Sequence, residues 1–176
     1  SANASGGRTW RLITSPIANN SVSNSVFYHW QNDGSINNGG LEIFGPTGTG
    51  SSGNGVSQGG AATSLRTFNA ASNAWVPVTN TKTQPLCSGS RNNAFLAFFC
   101  GPYGSGNISS GASPTCIRAH GTLVTGIQTY NFTASSSPYE LIANPYACAI
   151  DFDKIWNNSA TSNIERKFWT IDPDLG

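Results

Sequence analysis

Charge is what this chain has least of. Nine Lys and Arg and eight Asp and Glu make 10% of its 176 residues, for a net charge of +1. The basic residues are scattered, so there is no concentrated patch of the kind that nucleic acid or an anionic membrane surface needs. Methionine is absent, and only two histidines, His29 and His120, are present. No apolar run approaches the roughly 18 residues that cross a bilayer, so no membrane insertion is expected. No stretch keeps a helical period over three turns, which argues against a helical bundle. No pair of cysteines has the two-residue spacing of a zinc knuckle or a thioredoxin-type redox site. The first ten residues are not a signal peptide, and the chain reads as a mature or excised piece of an exported protein.

What fills the chain is Gly, Ser, Thr and Asn, together 78 residues, interleaved with nine Phe, five Trp and five Tyr. The aromatics supply enough apolar surface to offset chain entropy, so the polar richness belongs to turns and not to disorder. Runs rich in β-branched and aromatic residues recur at 9–14, 26–30, 41–44, 65–69, 75–78, 94–100, 115–119, 122–125, 128–133, 139–143 and 167–171. They predict about eleven short strands in one all-β domain over 1–176, an antiparallel, jelly-roll-like β-sandwich. At most one short helix is expected, at 151–156, where Asp151 caps the first turn.

The four cysteines, Cys87, Cys100, Cys116 and Cys148, are even in number and widely spaced, which favours two disulfides and an oxidising compartment. Of the three pairings, Cys87–Cys100 with Cys116–Cys148 links neighbouring strand runs. Each bridge is expected to stabilise the fold by about 3 to 4 kcal/mol in the chain-entropy account. Residues 45–64 form a Gly/Ser-rich loop. Within it Gly55, Ser57 and Gly59 match the G-x-S-x-G pattern of serine hydrolases. The strand before and the helix after that the nucleophile turn requires are both missing. The final run at 167–171 meets a turn and stops, which leaves a strand edge for a neighbour to complete.

Candidate sites are few. Asp151 with Asp153 and Asp172 with Asp174 are close carboxylate pairs, candidate calcium ligands first and an acid/base pair second. Against that stand a capping role for Asp151 and a turn around Pro173 for the other pair. Asp33 is a further turn aspartate. No other cofactor is expected. His29, between Tyr28 and Trp30, and His120, before Gly121, read as packed or hydrogen-bonded residues rather than catalysts. Tyr103 lies among Gly101, Pro102, Gly104 and Gly106, which offer no core partners. It is therefore the aromatic most expected to be exposed and to stack on a sugar.

Several segments together resemble one family. They are TWRLITSP near the start, WQNDG at 30–34, SLRTFNAASNAWVPVTNT at 64–81, LIANPYACAIDFDKIW at 141–156 and KFWTIDPDLG at the end. They are similar to β-rich modules of large secreted proteins exported by the type IX secretion system, and the NPY-x-x-x-IDFD stretch is the most specific part. The resemblance implies an extracellular or cell-surface setting ahead of a C-terminal sorting domain. It carries no catalytic residues. The four cysteines, and an end that precedes the strands expected after the closing WTIDP segment, depart from the pattern. Either an isolated domain or a subunit completed by its neighbour fits that ending. The leading expectation is a non-enzymatic structural or adhesive surface module whose partners are copies of itself or neighbouring domains. A carbohydrate-binding module using Tyr103 and the tryptophans comes second, and a glycan-acting enzyme last.

Overall fold

The computed structural model describes residues 9–18, 26–32, 40–45, 56, 63–81, 94–99, 117–132 and 137–171. It is β-rich, with antiparallel pairing throughout and few helices. β1 (Trp10–Ile13), β5 (Phe95–Phe98), β3 (Leu65–Asn69) and β4 (Ala74–Pro77) lie side by side in that order as a four-stranded sheet. β2 (Ile17–Ala18) and β6 (Thr122–Leu123) form a separate two-stranded pair.

Register assigns the two faces of the larger sheet, because directly opposed residues share a face and neighbours along a strand alternate. Ala97 opposes Leu65, and Ile13 opposes Phe95, so these four point one way. Trp10 opposes Phe98, Leu12 and Arg66 oppose Leu96, and Phe68 opposes Trp75, so these point the other way. Pro77, which lacks an amide donor, ends β4, an outer strand of the sheet, where its missing hydrogen bond costs least.

The β3–β4 connection shows why this sequence turns where it does. Asn69 Oδ1 accepts from the amides of Ala71 (3.0 Å) and Ser72 (3.3 Å), and the Asn73 amide donates to Ala70 O. Asn73 takes φ of 49°, a left-handed conformation that asparagine tolerates better than most residues.

One expectation is corrected outright: residues 26–30 are not a strand. Val26–Asn32 is helix α1, so the chain has two helices among its described residues where at most one was expected. Val26, Phe27, Trp30 and Gln31 fall at i, i+1, i+4 and i+5, one face of a helix, and all four are buried. That face meets the sheet through Phe27, whose ring stands edge-on to Phe95 at 4.7 Å and to Trp30 at 5.2 Å. Leu41, Ile43, Val56, Leu65 and Val78 complete the core around them. The segment after α1 folds back on its last turn, with the Leu41 amide donating to Trp30 O (2.6 Å) and the Gly40 amide to Gln31 O (2.9 Å). These contacts satisfy carbonyls that a helix end leaves open.

Several other expected strands are absent. Leu41 and Phe44 make isolated bridges only; Phe44 exchanges bonds with Ser64, through Ser64 Oγ at 2.8 Å and the Ser64 amide at 3.1 Å. Residues 117–119, 128–132, 139–143 and 167–171 form no strand. In the last third of the chain, polar side chains bond the nearby backbone and so compete with ladder formation. Asn144 accepts from the Tyr146 amide and donates to Cys148 O, and Asn158 Oδ1 accepts from the Ala160 amide. The second helix, α2 (Phe152–Trp156), forms as predicted, with Asp151 Oδ1 accepting from the Lys154 amide at 3.3 Å. No helix among the described residues is long and apolar enough to cross a membrane.

Candidate functional site

The carboxylates singled out in the sequence have structural partners where they are described. Asp151 caps α2. Asp153 Oδ1 receives both Nε (3.0 Å) and Nη2 (2.6 Å) of Arg166, tying α2 to the segment that follows it. Asp172, Asp174, Asp33 and Tyr103 lie outside the described residues, as do Cys87, Cys100 and Cys116 and the pairings proposed for them. Among the described residues Cys148 is exposed and has no disulfide partner. Among the described residues no three His, Cys, Asp or Glu side chains come together as a metal site. Of the G-x-S-x-G stretch only Val56 is described, and its side chain is part of the core.

The two histidines, 91 residues apart, are brought together. The His120 amide donates to His29 Nδ1 at 3.0 Å, and the rings stand edge-to-face at 5.3 Å. An Nδ1 acceptor places the proton of the neutral His29 ring on Nε2. His29 is only 7% exposed, so the contact ties α1 to residues 117–120 as part of the fold. Near it lies an open cavity of about 300 Å³ with mixed polar and apolar walls, lined by Ile13, Thr14, Ser15, Pro16, Ile17, Trp30, Ile117 and Ala119.

Two surfaces stand out from the rest of the molecule. The first runs through residues 139–171, where Trp169 is 67% and Phe168 66% exposed. Trp169 meets the half-exposed Tyr139 edge-on at 5.3 Å, and Phe168 meets Phe152 at 5.0 Å. Ile142, Ile150, Ile155 and Ile171 are exposed in the same stretch. Glu140, next to Tyr139, has its carboxyl pushed up from 4.5 by desolvation, against a lowering hydrogen bond with the Leu141 backbone. The second is the sheet face carrying Trp10, Phe98, Arg66, Phe68 and Trp75, all of them half-buried. There Trp10 packs on Phe98 at 5.3 Å, Phe68 on Trp75 at 5.4 Å, and the Arg66 guanidinium sits 5.1 Å from the centre of the Trp10 ring.

No protein family, curated protein or solved structure matches this chain. Function therefore rests on the two surfaces. Sequence reading named Trp10, Trp75 and Trp169 among the five tryptophans that could stack on a sugar, but it grouped them into neither surface and put Tyr103 in its Gly-rich turn first. A usable signal was the Phe168-Trp169 doublet between polar neighbours: the segment around it offers too few apolar residues to bury two large rings. For the sheet face, the signal was period-2 alternation of Trp10 with Leu12 and of Arg66 with Phe68.

Proposed function

We propose that this chain is a non-enzymatic structural or adhesive module of a secreted surface protein and that it associates with copies of itself. The observation that carries the reading is the exposed apolar surface of residues 139–171, with its two aromatic pairs. Aromatic residues are enriched at association surfaces, and here four of them meet in pairs with two rings mostly in solvent. A β-sandwich remains the proposed architecture, supported by the antiparallel pairing of both sheets.

The resemblance to modules exported by type IX secretion supports an extracellular setting, and the residues that carry it have physical roles here. In the NPY stretch, Asn144 bonds Tyr146 and Cys148 at both ends of its amide, and the Tyr146 hydroxyl donates to Gly126 O at 2.7 Å. In the IDFD stretch, Asp151 caps α2 and Asp153 holds Arg166. These bonds build the scaffold on which the exposed rings stand.

The test is light scattering across a concentration series, on the wild type and on a Phe168→Ser, Trp169→Ser double variant. Both side chains are solvent-exposed, so the variant keeps its fold. The expected result is a concentration-dependent oligomer or filament for the wild type and a monomer for the variant. A wild type that stays monomeric at high micromolar concentration overturns the reading.

A further inference from the structure

We propose that the sheet face turned away from α1 binds a carboxylated saccharide, with Arg66 taking the carboxylate and the flanking aromatic rings taking the sugar. The argument starts from the charge. Arg66 is the only charged residue that register places on this face of the four strands. Among the described residues no carboxylate pairs with it, and its Nε is buried without a hydrogen-bond partner. An arginine that is half out of water and has no counter-ion is a poor arrangement for stability alone, since a charged donor left unmet costs more than a neutral one. What holds it is the Trp10 ring, 5.1 Å below the guanidinium carbon. A cation held over an aromatic face keeps a planar edge for a ligand, here the one formed by its two terminal nitrogens since Nε is buried, and that edge matches the two oxygens of a carboxylate.

The surroundings select what carries the carboxylate. On one side of Arg66 stand Trp10 and Phe98, on the other Phe68 and Trp75, and each of the four is half-buried. A pyranose offers an apolar face of C–H groups to such rings and polar groups at its rim. An acidic peptide offers the charge without the flat face, and a neutral glycan the face without the charge. The net charge of only +1 adds no broad positive field. Binding is therefore local to this face and does not depend on self-association of the chain.

Isothermal titration of the whole chain at low ionic strength tests this with three probes: polygalacturonate, its methyl ester and polyglutamate. The expected result is that polygalacturonate binds while both others bind at least about tenfold more weakly, the scale of one charge-assisted hydrogen-bonded pair. The Arg66→Gln variant should lose about the same factor for polygalacturonate and nothing for the ester. Arg66→Lys keeps the charge, loses the planar fork and should fall between the two. Undetectable polygalacturonate binding, equal binding of the ester or of polyglutamate, or an unchanged Arg66→Gln affinity overturns the proposal. The three-probe comparison uses wild-type protein only, so it stands even where a variant unfolds.

Discussion

At the scale of single residues, the positions that matter most are those whose role depends on distant backbone. Gly40 is the sharpest case: a Cβ built there would lie 1.6 Å from Trp30 O, inside the contact where the chain folds back on the end of α1. Gly40→Ala must break that contact and its two hydrogen bonds, so a loss of about 2 to 4 kcal/mol is expected in urea unfolding. Gly126→Ala makes the comparison. Its φ of 72° strains any side chain, but nothing lies within 4 Å, so a loss of only about 1 kcal/mol is expected. Glu140 supplies the pH dependence. Desolvation raises its folded-state pKa above 4.5, so the native state holds this proton more tightly than the unfolded chain does. The contribution is fully present below the unfolded value and is lost as pH rises through the folded one. Chemical denaturation from pH 4 to pH 7 should therefore show wild type losing stability relative to Glu140→Gln as pH rises, by a small amount because the residue is largely exposed. In the sequence Gly40 was one of twenty glycines, and His29 and His120 were two isolated histidines. Their roles rest on chain reversals that no local pattern records.

At the scale of elements, what was legible depended on whether an element's reason lay within its own residues. The strands at Leu65–Asn69 and Ala74–Pro77, with Asn69 and Asn73 in the turn between them, carry theirs locally and were read within a residue. The capped turn at Phe152–Trp156 was too. Helix α1 was misread because seven residues are too few for a period to declare itself, and a Val-Phe run followed by Trp30 fits a strand by composition. The decision came from Phe95, Leu65 and Ala97, which offer a sheet face for Val26, Phe27 and Trp30 to cover. Tertiary burial therefore overrode the strand preference. Phe27→Ala should accordingly cost about 3 to 5 kcal/mol, since its ring is fully buried against both Phe95 and Trp30. Asn69→Ala, which removes only the turn bonds to Ala71 and Ser72 at an exposed site, should cost about 1 kcal/mol. A denaturation series that ranks Asn69→Ala above Phe27→Ala would mean that the hairpin, and not the helix-on-sheet contact, organises the core.

At the scale of the whole molecule, the distribution of charge and apolar surface sets how any association responds to solution conditions. Two ion pairs in the last third, Asp153 with Arg166 and Glu165 with Lys167, are exposed, so each contributes little and is screened by salt. The apolar side chains around them have no such sensitivity. Among them Phe168 and Trp169 are about two-thirds exposed. Self-association through this surface should therefore persist from low to physiological sodium chloride and strengthen in ammonium sulfate, which enhances apolar burial. The saccharide site on the sheet face should do the opposite, because a single guanidinium attracting a polyanion loses affinity as salt screens the charge. Sedimentation velocity and saccharide titration along the same salt series thus separate the two surfaces within one protein. Association that weakens in step with saccharide binding would instead place both on Arg66 and its aromatic neighbours, with one copy's carboxylate occupying the site of another. Arg66→Gln would then disperse the oligomer, whereas under the reading argued here it leaves the oligomer intact.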